Sequence, residues 1–366
     1  MDMTPYLKLM AEKKASDLFF CTGTEPHIKI QGVIRPVGQK KLAPGDVHEM
    51  AISLMSDEQA QEFKDVMEMN FAVPLKGVGR FRINIFRQRG EDSIVIRFIQ
   101  TRIPHFDEMN LPNVLGDIIM EKRGLILVVG ATGSGKSTSL AAMIGHRNRN
   151  SSSHILTIED PLEFIHTHEK SIVQQREVGI DTLSYENALK NALREAPDVI
   201  LIGEIRDMET MKHAISYAET GHLCLATLHS NNANQTMDRI LNFFPEVAHR
   251  QLLMDLSLNL RAIVSQRLLP SSDGMRVPAV EVMLNSPFIA ELIIQGNIGG
   301  IKDAMKESTD EGTITFDQAL LSLYKEDKIT LDEALHNADS KNDLSLEIRM
   351  GGGRDDIDEG SELILN

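Results

Sequence analysis

Nine residues at positions 130–138, GATGSGKST, concentrate more potential chemistry than any other stretch of the chain. Gly130, Ala131, Thr132, Gly133, Ser134, Gly135, Lys136 and Ser137 match the spacing GxxxxGK[ST], and Thr138 follows directly. The motif requires a strand before it and a helix after it, and LILVV and KSTSLAAMI have those patterns. Glycines let successive backbone N–H groups curl around phosphate oxygens, and a helix N-terminus adds partial positive charge. Lys136 is expected to reach the β- and γ-phosphates, and the Ser137 hydroxyl to hold Mg²⁺. ATP and Mg²⁺ are therefore the expected ligands. A chance glycine-rich turn would not arrive with both flanking patterns in place.

Three further apolar runs end in polar groups. APDVILIGEIRD carries Glu204 two residues beyond its apolar core, after Gly203, near where many phosphate-loop proteins keep an acid for the metal. A plain ion pair with Arg206 or Arg194 is the competing role. HILTIEDPLEF supplies Glu159, Asp160 and Glu163, where ligands bind in open α/β sheets, beyond the carboxyl ends of the strands. One of these acids could orient the attacking water; residue type alone does not choose among them. TGHLCLATLHSNNA is bracketed by His222 and His229. An odd separation along a strand points two side chains to opposite faces, so these histidines are no simple metal clamp. His229, beside Ser230 and Asn231, stands where a γ-phosphate could be sensed.

The elements that must position these groups show in the hydrophobic pattern. LILVV, HILTIED, VILIGEI and HLCLATL are short continuous apolar runs separated by helical stretches. That alternation predicts a parallel sheet covered on both faces. Residues 1–100 read differently. MTPYLKLMAEKKASD has helical spacing, PHIKIQGVIRPV alternates as strand around Gly32, and PGDVHEMAISLMSDEQAQEFKDV holds a helical pair. GRFRINIFRQRGEDSIVIRFI reads as a hairpin turning around Arg89–Asp92. Residues 101–112, with two prolines and no period, read as a linker to a core over 113–285. Helical patterns fill 286–350, and the Gly-rich acidic tail 351–366 has a disordered composition.

Composition narrows the function classes. Cys21 and Cys224 are the two cysteines of the 366 residues, which excludes a disulfide framework or a four-thiolate zinc site and suggests a reducing compartment. The N-terminus lacks the apolar core of a signal peptide. The longest apolar runs reach about half of the ~20 residues that span a bilayer. A cytoplasmic protein is expected, meeting a membrane only through partners. The net charge of −15, with no tryptophan and four tyrosines, weighs against a nucleic-acid motor. Because the expected site residues are all present, a vestigial regulatory subunit is also disfavoured.

The four motifs together resemble one family. GATGSGKST is similar to its Walker A, ILTIEDPLEFIH to its aspartate box, VILIGEIRD to its degenerate Walker B and TGHLCLATLHSNNA to its histidine box. Their order and spacing over 113–285 resemble the secretion ATPase superfamily of type II secretion and type IV pilus motors. That resemblance implies a PAS-like α+β domain over 1–100 and a RecA-like ATPase core. It implies that Lys136 and Ser137 bind phosphate and Mg²⁺, and that Glu204 is the Walker B acid. It further implies that Glu163 activates water, and that His222 and His229 couple or sense phosphate. Arg82 and Arg97, in RFR and VIRF, are implied to complete a neighbour's site in a homo-hexamer. Extension and secretion motors typically add a four-cysteine zinc element and a longer N-terminal region. This chain has neither, and its QREVG at 175–179 resembles the PilT/PilU family of pilus retraction ATPases. GIKDAMKE at 300–307 and the acidic tail resemble the accessory, PilU-like branch. The implied partners are a paralogous retraction ATPase and an inner-membrane platform protein, placing the chain at the cytoplasmic side of the pilus base.

Overall fold

The computed structural model describes residues 2–350 apart from 31, 100, 101 and 309–311. The tail expected to be disordered, 351–366, lies outside the described residues. The chain divides into two units. The first comprises 1–103, 158–167 and 174–190, and the second 104–157, 168–173 and 191–366.

The first unit is built on six antiparallel strands. They are β1 (Asp17–Cys21), β2 (His27–Ile30), β3 (Val33–Pro36), β4 (Glu68–Leu75), β5 (Gly79–Gln88) and β6 (Glu91–Ile99), in the order β3-β2-β1-β6-β5-β4. Alternation decides which face of the sheet is buried. Phe81, Ile83 and Ile85 of β5 and Ile94 and Ile96 of β6 enter the core with Leu7, Met10, Val47, Met50 and Phe63 from the helices Thr4–Glu12, Asp46–Leu54 and Asp57–Val66. Arg80, Arg82 and Asn84 occupy the alternate positions of β5 and remain partly exposed. The expected hairpin is present, with Gln88 paired to Glu91. Its two turn residues, Arg89 and Gly90, have φ of 54° and 83°, the left-handed pair that matches strand twist. Strands β1 and β4 were not expected. DLFFC directly follows a helical pattern, and EMNFAVPL follows another, so each short run was hidden behind the period before it.

The second unit holds most of a seven-stranded sheet. Its strands are β7 (Gly124–Val129), β8 (His154–Glu159), β9 (Ile172–Glu177), β10 (Val199–Ile202), β11 (Leu223–Leu228), β12 (Leu260–Pro270) and β13 (Arg276–Leu284), in the order β13-β12-β7-β11-β10-β8-β9. Every residue of β7, β10 and β11 is buried, and these strands run parallel. That is the covered parallel sheet expected from the apolar runs. The expected alternation missed the antiparallel pair β12–β13, whose runs are interrupted by the buried polar residues Ser265, Gln266 and Glu281. The stretch read as a linker is only partly one. From Pro104 it belongs to the second unit, and Phe106 and Leu111 enter that unit's core. Two prolines removed the period without removing the apolar anchors. Buried Arg147, on the helix Lys136–Asn150, donates to the carbonyls of Ile119 and Glu121 at 2.6 and 2.7 Å.

The expected C-terminal helices are present. Phe316–Lys325, Leu331–Asn337 and Lys341–Met350 bury Phe316, Leu320, Ala334, Leu344 and Ile348 against Leu269, Val277 and Ala279. Asp339 ties this cluster to the sheet, accepting from Arg267 at 2.8 Å and Lys302 at 3.0 Å.

Candidate nucleotide site

Strand register builds one edge of the second unit. Val129 pairs with Leu228 on one side and with Ser265 on the other, and Ile202 pairs with Ala226. The carboxyl ends of β7, β10 and β11 therefore lie together. The loop 130–135, the pair Gly203–Glu204 and His229 all leave the sheet at that edge, the position where open α/β sheets bind ligands. The turn after β10 is anchored to β11. Thr227 Oγ1 donates to the Gly203 carbonyl, and the Ile205 amide donates to the Thr227 carbonyl at 2.9 Å.

The loop needs its glycines. Gly130 has φ of 152°, and a Cβ there would lie 2.4 Å from the Gln266 carbonyl oxygen and 2.5 Å from Ser134 Oγ. Gly135, at φ of 89°, would press a Cβ within 2.7 Å of Gln266 Nε2. The buried Ser134 hydroxyl has no hydrogen-bond partner, which is costly without a ligand. This cradle fits a phosphate. Lys136, at the first turn of the helix Lys136–Asn150, folds back and donates to the carbonyls of Gly130 and Ala131 at 2.8 and 2.9 Å. Burial lowers its pKa, and the nearby Glu204 carboxylate opposes that shift. The hydroxyl of exposed Ser137 and the Glu204 carboxylate are hard oxygen donors of the kind Mg²⁺ takes, so the residue set also fits the metal.

Gln266 is a site residue that the sequence reading missed. It is 2 % exposed, and its Oε1 accepts from Ser139 Oγ, on the first turn of the loop's helix, at 2.7 Å. A glutamine inside the apolar run RAIVSQRLL was the available signal.

Glu204 makes the ion pair weighed for it. It pairs with Arg206 at 2.6 Å and with His229 Nε2 at 3.0 Å while standing at the ligand edge. His222 is elsewhere. It precedes β11, so the six residues Leu223–Leu228, ~20 Å of strand, separate it from His229. Its Nδ1 lies 3.1 Å from Thr220 Oγ1 and 3.2 Å from the Tyr217 carbonyl, and its own carbonyl accepts from the Gly124 amide at 3.0 Å. The chain does not bring it to the loop.

The remaining predicted residues belong to the first unit. Glu163 is exposed on the segment after β8, and Glu159 is half-buried. Gln175 braces this segment, donating to the Phe164 carbonyl at 2.9 Å and accepting from the His166 amide at 2.8 Å. Arg82 and Arg97 are cross-strand partners on β5 and β6. With Asn70, Asn84 and Val95 they line an open cavity of about 290 Å³. Arg97 donates to Asp17 at 2.9 Å, and Arg82 lies 3.9 Å from Glu177.

A family described as "Type II/IV secretion system protein" matches residues 2–291. The chain is 52% identical over 356 residues to the type IV pilus ATPase PilU of Pseudomonas aeruginosa, covering 97% of this chain and 93% of that protein. The chain belongs to the PilT/PilU family of pilus retraction ATPases. It is also 39% identical over 338 residues to the P. aeruginosa retraction ATPase PilT, covering 92% of this chain and 98% of that one. The crystal structure of the pilus retraction motor PilT with bound ADP superposes with a TM-score of 0.88 at 40% identity, covering 94% of this chain and 99% of the other. This family member is thus a P-loop ATPase, and the edge formed by residues 130–138, Glu204 and His229 is its candidate nucleotide site. Among the described residues, no helix is long and apolar enough to cross a membrane.

Proposed function

We propose that this chain is the subunit of a homo-hexameric motor that spends ATP on withdrawing type IV pili, acting as the accessory, PilU-like partner of a paralogous retraction ATPase. In this reading the first unit is the PAS-like domain and the second the RecA-like core. Its partner at the membrane is an inner-membrane platform protein, which would hold the ring at the cytoplasmic side of the pilus base. The observation that carries the proposal is the convergence of the 130–138 loop, Glu204 and His229 on one sheet edge, in a chain with close identity to PilU along nearly its whole length.

The roles follow from chemistry. Backbone amides of the loop and the Lys136 ammonium hold the phosphates, and Lys136 exchanges its two carbonyl acceptors for phosphate oxygens. Mg²⁺, held by Ser137 and backed by Glu204, would neutralise phosphate charge when bound. Glu163 orients the attacking water and accepts its proton. Arg82 and Arg97 bring positive charge to the phosphoryl group transferring in a neighbouring subunit's site. His229, already bonded to Glu204, reports the state of that carboxylate to the segment that follows β11. His222 acts at a distance, by anchoring the amino end of the same strand.

The test is deletion of the gene in the native host, scored for surface pili and twitching. Hyperpiliation with reduced motility is expected. Loss of surface pili would overturn the proposal in favour of an extension motor. ATP turnover strongly stimulated by DNA would overturn it in favour of a nucleic-acid motor.

A further inference from the structure

Arg82 and Arg97 stand directly opposite each other across β5 and β6. Like charges in that position repel, so the pair requires compensation. Two acids from distant parts of the chain supply it. Asp17 is 5 % exposed and Glu177 is 1 % exposed; Asp17 is the register partner of Arg97 on β1, and neither acid lines the open cavity.

The two acids hold their arginines differently. Asp17 is satisfied: Oδ1 accepts from Arg97 Nε at 2.9 Å, and Oδ2 accepts from Ser16 Oγ at 2.9 Å. Glu177 has both carboxylate oxygens buried without a hydrogen-bond partner. The Arg82 Nε is 3.9 Å away, within ion-pair range but beyond hydrogen bonding. Arg80, two positions along the same face of β5, adds its field, and its own Nε is also buried without a partner. The Leu162 amide approaches the carboxylate without closing a hydrogen bond. The backbone of Glu177 cannot drift to relieve this. Its amide donates to Asp181 Oδ2 at 2.9 Å, and its carbonyl accepts from the amides of Ile180, Asp181 and Thr182 at 3.2, 2.8 and 3.3 Å.

A buried carboxylate with no donor is expensive, and a fixed backbone maintains that expense. The consequence for the arginines is a difference in freedom. Arg97 must break a charge-assisted hydrogen bond to turn toward an anion in the cavity. Arg82 is aimed by charge alone and gives up no hydrogen bond when it turns.

We propose that Glu177 is the positioning residue for Arg82, a buried acid that aims the guanidinium at the cavity rim and leaves it free to engage a phosphate. The proposal rests on the reading of Arg82 as a phosphate-directed arginine. Glu177 touches no reacting atom; it acts through Arg82.

The test is steady-state ATP turnover by the full chain for Arg82→Ala, Glu177→Gln and the double variant, with kcat and KM determined separately. Arg82→Ala is expected to lower kcat on the order of 10³-fold. Glu177→Gln keeps the shape and removes the charge, and is expected to lower kcat about tenfold with KM within about twofold, a coupling typical of residues in direct contact. The double variant should match Arg82→Ala, because a positioning residue has nothing left to position. Glu177→Asp, which keeps the charge but withdraws it, should fall between wild type and Glu177→Gln, and it serves in the same cycle if the glutamine variant does not fold. The proposal is overturned if the Glu177 variants turn over like wild type while Arg82→Ala is impaired. It is equally overturned if the double variant loses the full factor of each single change, since an additive loss is what a purely structural glutamate gives. Wild-type kcat in Arg82→Ala would instead sink the underlying reading of Arg82.

Discussion

The nucleotide edge of the second unit and the arginine face of the first are made in opposite ways. The edge takes its phosphate cradle from nine consecutive residues and leaves the rest of the sheet to hold it in register. The arginine face is assembled from Asp17, Arg82, Arg97 and Glu177, drawn from both ends of the unit's sequence. The cradle works through backbone amides, whose direction is set by local φ and ψ. The arginine face works through side-chain charge, whose direction is set by whatever acid folding brings up behind it. A local site tolerates change around it and fails abruptly when its own residues change. An assembled site can also be weakened by degrees, through the acids that hold its arginines.

The largest effect is expected inside the contiguous motif. Lys136→Ala should abolish ATP turnover and weaken binding of labelled ATP, because it removes the only side-chain cation of the loop. Glu163→Gln should also abolish turnover, while ATP binding persists. Normal turnover in Glu163→Gln would transfer the water-orienting role to Glu159 or Glu204.

A second measurement asks whether the contiguous site is as self-contained as it looks. Gln266→Leu leaves the Ser139 hydroxyl without its buried partner and loosens the floor under Gly130 and Gly135. The expected loss is about 1–3 kcal/mol of stability, read by denaturant unfolding, together with weaker ATP binding. Unchanged unfolding would show that the loop does not depend on β12.

These two expectations mark what was legible in the sequence. The loop at 130–135 could be read, with the strand before it and the helix after it, because the motif is continuous. The parallel strands could be read because burial on both faces makes each an unbroken apolar run. Gln266 was not legible, because a glutamine in an apolar run becomes meaningful only when β12 pairs beside β7. Glu177 was hidden for a similar reason. It lies in QREVG, a polar stretch whose exposed look gives no hint that one residue in five is buried beneath Arg82. His229 could be singled out because it follows the apolar run, whereas His222 precedes it, and β11 keeps the two at opposite ends.

The smallest expected effect concerns stability at the arginine face and carries a definite sign. Burial raises the Glu177 pKa above the ordinary carboxylate value, against the lowering fields of Arg82 and Arg80. A carboxyl whose folded pKa is raised contributes stability that is fully present below its unfolded pKa and is lost as pH rises through the folded one. At neutral pH the wild-type chain therefore bears the penalty of a buried charge, which Glu177→Gln lacks. The variant should melt a few degrees higher at pH 7, of the size that about 1 kcal/mol gives in a chain of this length. The gain should shrink as pH falls through the raised folded pKa and be gone below the ordinary carboxylate value of about 4.5. A gain independent of pH would mean that the charge at Glu177 is not its cause.

The most direct measurement of the whole account is a single-turnover comparison of Arg82→Ala with wild type, with ATP binding measured on the same preparations. If the second unit binds nucleotide and the first lends transition-state charge to a neighbouring subunit's site, the variant binds ATP within a few-fold of wild type and hydrolyses it on the order of 10³ times more slowly. Hydrolysis at the wild-type rate would contradict that division of labour, and so would loss of ATP binding in step with hydrolysis.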